Sequence, residues 1–340
     1  MNARQHNDRL LGESPAFLEV LDRVSQIAPL DKPVLIVGER GTGKELIAAR
    51  LHYLSARWDQ EYVKMNCAAI SETLLETELF GHEAGAFTGA SKMHRGRFER
   101  ANRGSLFLDE LATTSALVQE KLLRIIEYGE FERVGGSKTL TTDVRLIAAT
   151  NEDLPKLADQ GKFREDLLDR LAFDVITLPP LRARPEDIFL LAEHFAMNMA
   201  SDLGLDFFPG FSEQALDKLS EYAWPGNIRE LKNVVERSVY RSADEGEPVD
   251  VITLDPFESV FRPSVSKTRQ ADRATESKPA VEEAEFPIDF KQTVQEFEIE
   301  LIQQALAASQ FNQKKTAEAL GVTYHQLRGY MKKYELFEND

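Results

Sequence analysis

Apolar and polar positions alternate in two ways along the chain. Through residues 11–240, short apolar runs typical of buried strands alternate with amphipathic stretches typical of helices. Residues 34–37 are one such run, and residues 45–54 have the pattern of a helix that follows it. This order predicts an α/β domain, with a parallel sheet covered by helices on both faces, followed by further helices.

The pattern changes after this region. Residues 242–289 are rich in proline, serine and mixed charge and have little apolar periodicity, which predicts a flexible linker. Residues 290–340 return to helical spacing. We therefore expect a short tail at 1–10, an α/β subdomain over 11–178, a helical lid subdomain over 179–241, the linker, and a C-terminal helical domain.

Composition narrows the class of protein. The 340 residues are 42% hydrophobic and 29% charged, as in ordinary soluble proteins. No apolar run approaches the roughly 20 residues of a membrane-spanning helix, and the N-terminus lacks the apolar stretch of a signal peptide. We therefore expect a cytoplasmic chain without membrane insertion. The net charge of −16 means that any DNA contact must be local. Cys67 is the only cysteine, which excludes an internal disulfide and a multi-cysteine metal site.

A phosphate-binding motif follows the first predicted strand. Residues 38–44, GERGTGK, fit the pattern G-x-x-x-x-G-K between a strand and a helix, where backbone N–H groups cradle phosphate and the lysine neutralises the outer phosphates. Glu45 stands where this motif usually has the Ser or Thr that holds Mg²⁺, so the metal must depend on waters and on a carboxylate elsewhere. The candidate nucleotide-binding residues are Gly38, Glu39, Arg40, Gly41, Thr42, Gly43, Lys44 and Glu45.

That carboxylate is expected at the end of the apolar run in GSLFLDEL, residues 104–111. Asp109 would hold the Mg²⁺ shell, and Glu110 would orient or deprotonate the attacking water. Alternatively, the two acids cap the following helix. A third apolar run ends in Thr150 and Asn151, polar groups that could contact the γ-phosphate or the water.

Two arginines could reach the charge that develops on a transferred phosphate. Arg164 and Arg170 are six residues apart, so on one continuous helix their side chains would point about 240° apart. Both can serve one phosphate only if the helix begins between them or if they divide the work. The alternative is surface ion pairing with Glu165, Asp166 or Asp169.

A third arginine lies in the segment WPGNIREL. Asn227 is a candidate helix N-cap, and Arg229 then falls in the first turn, where a cation is unfavourable unless an anion lies nearby.

One loop has an unusual composition, since an aromatic and a hydroxyl residue lie between two glycines. The glycines permit sharp turns or movement. Either the ring is tucked into an ordinary turn, or the loop is mobile and presses its phenylalanine and threonine on another molecule. Its residues are Gly85, Ala86, Phe87, Thr88, Gly89 and Ala90.

The C-terminal segment has the layout of a helix-turn-helix, with one helix to Leu320, a turn at Gly321 and a second helix opened by Thr323. Five basic residues and one acid lie between residues 312 and 334, a basic patch in an acidic chain. The candidate DNA-binding residues are Lys314, Lys315, Thr323, Tyr324, His325, Gln326, Arg328 and Lys332.

A stripe of apolar residues at helical spacing precedes the helix-turn-helix segment and is suited to packing against a partner helix or at a dimer interface. It consists of Val294, Phe297, Leu301, Ile302, Ala305 and Leu306. Two copies would address half-sites about 34 Å apart. The alternative is a helical hairpin that only dimerises the chain.

These motifs, in this order, resemble the AAA+ domain of bacterial enhancer-binding proteins, the activators of sigma-54 RNA polymerase. The resemblance covers nearly all of residues 11–241, including GERGTGKE, ELFGHEAGAFTGA, LFLDE, FREDLLDRL and WPGNIREL, and residues 312–334 resemble a Fis-type DNA-binding domain. It implies a ring, usually a hexamer, that binds upstream enhancer DNA, hydrolyses ATP between subunits and remodels the closed complex of the sigma-54 RNA polymerase holoenzyme.

The resemblance also implies roles for single residues. Phe87 and Thr88 would contact sigma-54 within the 85–90 loop, Arg164 and Arg170 would be arginine fingers supplied across a subunit interface, and Arg229 would be the sensor arginine of the lid. The family tolerates Glu after the P-loop lysine, so Glu45 does not count against ATP binding.

Most relatives carry a receiver or ligand-sensing domain before the ATPase, whereas only about ten residues precede it here. We therefore expect control by another chain or by expression level. Within the family the chain resembles activators of phage shock operons, which implies inhibition in trans by phage shock protein A. Trp58, an aromatic among polar residues after a helix, is the hypothetical docking point; alternatively, its ring packs on the domain surface.

Two other functions share some of these features. A AAA+ remodeller of another class, such as a protein unfoldase or a DNA motor, has no reason for the 85–90 loop. A passive DNA-binding regulator would leave Lys44, Asp109 and Glu110 without a role.

Overall fold

The computed structural model describes residues 10–242, 247–257, 290–309 and 312–334. Contacts divide the chain into two compact units, Met1–Phe257 and Glu258–Asp340.

The described part of the first unit contains the strands β1 (Val34–Val37), β2 (Tyr62–Asn66), β3 (Ser105–Asp109), β4 (Glu130–Glu132), β5 (Thr139–Thr141), β6 (Arg145–Thr150) and β7 (Val175–Thr177). Five of these strands form a parallel sheet in the order β2-β3-β6-β1-β7, and β4 and β5 form a separate antiparallel hairpin. Strand β6 is buried at every position, as expected for a parallel strand covered on both faces. Register pairs Val37 with Thr150 and Asn66 with Asp109, so the carboxyl ends of these strands lie along one edge of the sheet.

Helices cover both faces of this sheet. Alternate residues of the same strand enter different cores: Leu146 packs with helices on one face, whereas Ile147 packs with helices on the other. The predicted α/β class with a doubly covered parallel sheet is confirmed. The helices of this subdomain are α1 (Pro15–Ile27), α2 (Lys44–Tyr53), α3 (Glu72–Phe80), α4 (Arg97–Arg100), α5 (Ala116–Tyr128), α6 (Leu154–Asp159) and α7 (Glu165–Leu171).

A helical subdomain completes the first unit, with α8 (Pro185–Asp202), α9 (Glu213–Glu221) and α10 (Asn227–Arg241). Its core is centred on the fully buried Trp224, whose indole Nε1 donates to the carbonyl of Leu219 at 2.9 Å.

The chain does not leave this subdomain where the sequence predicts. Val249 and Ile252 are buried in the core of the lid, so the prediction of a linker is wrong for residues 247–257. The two residues belong to the short apolar run VDVITL, residues 249–254, in which Val249 and Ile252 fill the core whereas Val251 is exposed. The rest of the predicted linker, 243–246 and 258–289, lies outside the described residues, as does the tail over 1–9.

The second unit contains α11 (Phe290–Ala308), α12 (Gln313–Ala319) and α13 (Tyr324–Lys333). Gly321 makes the predicted turn with a φ of 66°, and Thr323 caps α13 in a reciprocal capping box with Gln326. The helix-turn-helix prediction is therefore confirmed.

The predicted stripe on α11 serves two surfaces. Ile302 and Leu306 are buried in the core of the second unit, whereas Phe297 and Leu301 are exposed. The side chain of Val294 lies outside the described residues. Within the described ranges, no helix combines the length and apolarity needed to cross a bilayer.

Candidate nucleotide-binding site and interaction surfaces

The phosphate loop joins β1 to α2, as the sequence predicts. Gly43 adopts a left-handed φ of 95° and is the N-cap of α2, where its carbonyl accepts from the N–H of Leu46 at 3.0 Å. The N–H groups of Lys44 and Glu45, at the very start of the helix, have no carbonyl one turn earlier in the helix to bond. The Nζ of Lys44 donates to the carbonyls of Gly38 at 2.9 Å and Glu39 at 3.2 Å. The loop is thus folded around its own lysine, and it offers the donor set that a chain of phosphates requires.

Two carboxylates stand at the carboxyl end of β3. Asp109 accepts from the backbone N–H of Glu110 at 3.0 Å and from the amide of Asn66 at 3.1 Å. Burial lowers the pKa of Lys44, and the negative charges of Glu110 and Asp109 oppose that shift, so all three groups act on one another across the cleft. Glu110 precedes the short helix Leu111–Thr113 but makes no side-chain cap bond with it. The helix-capping alternative is therefore not supported.

Polar side chains hold the Glu110 carboxylate. Its backbone has a left-handed φ of 53°, an uncommon conformation for a residue with a side chain. When the Asn151 amide is oriented to satisfy its neighbours, its nitrogen donates to Glu110 Oε2 at 2.5 Å and its oxygen accepts from Arg40 Nε at 3.2 Å. Sequence reasoning found Asn151 but missed Asn66, the last residue of β2.

These groups line a cleft of about 1020 Å³ between the α/β subdomain and the lid. Arg229 faces this cleft from the first turn of α10, and its charge acts on Lys44. Apolar side chains such as Leu10, Phe17 and Ile228 line another part of the cleft. A cleft with cations and carboxylates at one part and apolar groups at another has the chemistry to hold a nucleotide.

The prediction that Asn227 caps α10 is wrong. Gly226 occupies the N-cap position, and Asn227 is the first helical residue, fully buried and with a φ of 53°. Its amide reaches the phosphate loop instead of the helix.

Two further predicted residues are exposed. The carboxylate of Glu45 accepts from Lys64 Nζ at 2.9 Å. Trp58 is 63% exposed in the turn after α2, so most of its side chain faces solvent, which agrees with a docking point and with a ring that packs on the domain surface.

Helix α7 begins between the two candidate finger arginines. Arg164 is at the N-cap position and pairs with Asp166 at 2.6 Å, whereas Arg170 is in the last turn and pairs with Glu127 at 3.1 Å. The Arg164 pair is one that the ion-pair alternative names, and the partner of Arg170 is a residue that sequence reasoning missed. Exposed pairs of this kind contribute about 0–1 kcal/mol, so either arginine can exchange its carboxylate for another anion at little cost.

The 85–90 loop is closed at its base and exposes both residues at its tip. Phe87 is 43% exposed and lies edge-on to the ring of His82, with 4.9 Å between centroids. The N–H of Gly85 donates to the carbonyl of Ala90 at 2.7 Å, which closes the loop. Thr88 is exposed at the tip, whereas Ala90 is buried at the base.

Most of the candidate DNA-binding residues in the second unit are exposed. Three have structural partners as well, because the side-chain oxygen of Gln326 accepts from the N–H of Thr323 at 2.9 Å in the capping box and the Tyr324 hydroxyl donates to Gln313 at 3.4 Å. The exposed basic and imidazole side chains are Lys314, Lys315, His325, Arg328 and Lys332.

Three segments of the chain match known protein families. Residues 10–177 match the family described as "Sigma-54 interaction domain", residues 182–274 match "AAA+ ATPase lid domain", and residues 293–334 match "Bacterial regulatory protein, Fis family".

Individual proteins agree with these matches. The chain is 57% identical over 332 residues to the "Psp operon transcriptional activator" of Escherichia coli (strain K12), covering 98% of this chain and 99% of that protein. It is 53% identical over 231 residues to the "Nif-specific regulatory protein" of Azospirillum lipoferum, covering 68% of this chain but only 37% of that longer protein.

Solved structures of NtrX from Brucella abortus in complex with ATP and with ADP match at TM-scores of 0.66 and 0.67, with 31% and 30% identity. Each match covers 96% of this chain and 69% of the NtrX chain. The matched families do not support an unfoldase, a DNA motor or a passive DNA-binding regulator. The chain therefore belongs to the family of sigma-54-dependent transcriptional activators, which join an AAA+ ATPase to a Fis-type DNA-binding domain.

Proposed function

We propose that this activator works as a ring, usually a hexamer, in which ATP is hydrolysed between subunits and the 85–90 loop transmits the result to sigma-54. The observation that carries the proposal is the cleft, where Lys44, Asp109, Glu110 and Arg229 converge in the same subunit that exposes Phe87 and Thr88. A complex with RNA polymerase places this work in the cytoplasm.

The donors of the phosphate loop bind the triphosphate. The N–H groups of residues 38–45 surround the phosphates, and Lys44 releases its two carbonyl partners to neutralise the outer ones. Bound Mg²⁺ would neutralise charge on the phosphate oxygens. The donor set fits this ion, because Asp109 offers a carboxylate beside the lysine and can hold the ion partly through water.

Glu110 acts on the attacking water. Its carboxylate orients the water and accepts a proton as the water oxygen bonds to the γ-phosphorus, while the bond from that phosphorus to the bridging oxygen of ADP breaks. Asn151 donates to Glu110 and keeps the carboxylate in one orientation. Arg229 stabilises the charge of the outer phosphates from the lid.

Arg164 and Arg170 complete the site of the neighbouring subunit. Arg164 is half-exposed and Arg170 is exposed, and each pairs with an exposed or half-exposed acid, so each is available to a ligand presented by another chain. Because Arg164 precedes α7 and Arg170 lies in its last turn, the 240° separation expected on one continuous helix does not apply to them. Both arginines can therefore act on the developing charge of one phosphate.

We expect Arg164→Ala to reduce hydrolysis about 10³-fold, the usual effect of removing an arginine finger. If the arginine acts across an interface, mixing Arg164→Ala subunits with Lys44→Ala subunits restores measurable hydrolysis, since some interfaces then combine an intact phosphate loop with an intact finger. The same mixture is made with Arg170→Ala. Arg23→Ala, which removes another exposed ion pair, is the control. Mixtures no more active than the sum of their parts contradict the shared site.

The second unit binds upstream enhancer DNA as a dimer. Lys314, Lys315 and Lys332 bind phosphates without reading sequence, whereas Thr323, Tyr324, His325, Gln326 and Arg328, at the start of α13, reach base edges or phosphates. The exposed Phe297 and Leu301 offer an apolar surface for the second copy.

We expect the double variant Lys314→Ala and Lys315→Ala to lower the slope of log affinity against log salt by about 2, because each phosphate contact contributes about 0.9. Titration of the enhancer DNA at several salt concentrations measures the slope. Gln303→Ala, an exposed and uncharged position on α11, should leave it unchanged. An unaltered slope in the double variant would remove both lysines from the interface.

We infer that the chain activates a phage shock operon and is inhibited in trans by phage shock protein A at Trp58. Similarity to the Psp operon transcriptional activator over 98% of this chain supports the operon, and the 63% exposure of the indole supports the contact.

Trp58→Ala should then weaken inhibition at least about 30-fold, the loss typical of an aromatic interface residue worth about 2 kcal/mol. The measurement is promoter activity at increasing inhibitor concentration. Tyr240→Ala removes an equally exposed ring from the lid as a control. Full inhibition of the Trp58 variant would discard this contact.

A further inference from the structure

The buried amide of Asn227 joins the lid to the phosphate loop. Its Nδ2 donates to Glu39 Oε2 at 3.0 Å and to the carbonyl of Arg40 at 3.1 Å, while its Oδ1 accepts from the N–H of Leu181 at 2.8 Å. Both the donor and the acceptor capacity of the amide are therefore used. One side chain connects the phosphate loop, the start of the lid and helix α10.

A second contact on the solvent side reinforces this junction. The guanidinium of Arg182 binds Glu39 as a fork, with Nη1 at 2.9 Å from Oε2 and Nη2 at 2.5 Å from Oε1. These hydrogen bonds, with that of Asn227, lower the pKa of Glu39 to about 2, so the group is a carboxylate at neutral pH. Glu39 thus accepts from two residues of the lid side at once.

The backbones of the phosphate loop and of the start of α10 are in direct contact at the same place. The N–H of Ile228 donates to the carbonyl of Gly41 at 3.0 Å. A Cβ added to Gly41 would lie 2.3 Å from the carbonyl oxygen of Gly226, a contact that cannot be relieved by side-chain motion. The apex of the phosphate loop therefore touches the first turn of α10 directly.

Asn227 also determines how α10 begins. It holds a left-handed φ of 53°, a conformation that is unfavourable for a residue with a side chain and persists only where the surroundings fix it. Arg229 is two residues further along the same turn and faces the cleft. The direction from which Arg229 approaches the cleft is thus set by a residue that is bonded to the phosphate loop.

We propose that Asn227 is a positioning residue for ATP hydrolysis, whose amide pins the apex of the phosphate loop to the first turn of α10 and so places Arg229 at the outer phosphate. This inference rests on the proposed role of Arg229. It makes the discrimination between ATP and ADP depend on Asn227, although Asn227 is buried and does not line the cleft.

The test uses Asn227→Gly in the full chain, because glycine tolerates the left-handed backbone while removing the amide. Arg182→Ala is the matched control, since it removes only the solvent-side fork. Glu39→Ala is the second variant, which removes one acceptor of Asn227 at a half-exposed position and keeps the inference testable if Asn227→Gly does not fold. Each is combined with Arg229→Ala, and kcat, KM and the dissociation constants of ADP and a non-hydrolysable ATP analogue are measured.

We expect Asn227→Gly to lower kcat roughly 10²-fold, the effect of a displacement of about 1 Å at a catalytic group. It should bring the ratio of ATP to ADP affinity to that of Arg229→Ala, with ADP binding nearly unchanged. Glu39→Ala should shift both quantities in the same direction by a smaller amount, and Arg182→Ala should shift them little. In the Arg229→Ala background, Asn227→Gly should add no further loss.

Losses that multiply in the double variant would overturn the inference, because Asn227 would then act independently of Arg229. An equal loss of ATP and ADP binding with unchanged kcat would overturn it as well, since that is the result of a merely structural role. If Arg229→Ala alone changes neither kcat nor the affinity ratio, the proposed role of Arg229 fails, and the inference fails with it for a distinguishable reason.

Discussion

Glu110→Ala is expected to bind ATP with an affinity close to that of the wild type and to hydrolyse it roughly 10² to 10⁴-fold more slowly, the range for loss of a general base. Binding persists because the phosphate loop and Lys44 are unaltered. Hydrolysis fails because no other carboxylate is held by Asn151 at this position. Asp109 does not replace it, because its proposed task is to hold the Mg²⁺ shell and its oxygens also accept from Asn66 and the backbone.

The measurement combines nucleotide titration with steady-state phosphate release. Glu110→Gln is the matched variant, because it keeps the shape and a partner for Asn151 but cannot accept the proton at neutral pH. Glu19→Gln, at an exposed position of α1, controls for the loss of one negative charge. Undiminished hydrolysis in either Glu110 variant would contradict the role of this residue.

Thr88→Ala is expected to retain ATP hydrolysis and to lose at least about 30-fold in promoter opening, as for an interface residue worth about 2 kcal/mol. Hydrolysis should be retained because Thr88 is exposed at the tip of the loop and does not line the nucleotide cleft. Hydrolysis and activation should therefore separate in this variant.

Opening of a sigma-54 promoter is followed with and without ATP, in parallel with phosphate release. Ser91→Ala removes another exposed hydroxyl immediately after the loop and should behave as the wild type. Normal activation by Thr88→Ala would show that the loop assignment is wrong. Promoter opening without ATP would show that activation does not depend on ATP hydrolysis.

Sequence reasoning reached the fold class because each predicted strand is a continuous apolar run, and a run that is buried on both faces needs helices on both faces. It also predicted that Lys44, Asp109 and Asn151 lie close together, because the carboxyl ends of parallel strands lie along one edge of the sheet. These results depend on local pattern alone.

Residues whose partners are distant in the chain were missed or misassigned. Asn227 has the composition of an N-cap, but its bonds reach residues about 190 positions earlier, and no local rule contains them. Asn66 appears as an ordinary strand end until register pairs it with Asp109. Val249 and Ile252 lie in a short apolar run, VDVITL, within a stretch rich in acids and proline, and the composition of that stretch predicted a linker although the lid core surrounds the two side chains.

The chain has two tryptophans in opposite surroundings, one fully buried in the lid and one largely in water. Trp224 should emit at short wavelength and resist quenching by iodide, whereas Trp58 should emit at long wavelength and be quenched readily. The intrinsic fluorescence of the unmodified protein therefore has two separable signals. One reports whether the lid is folded, and the other reports whether a second molecule covers the turn after α2.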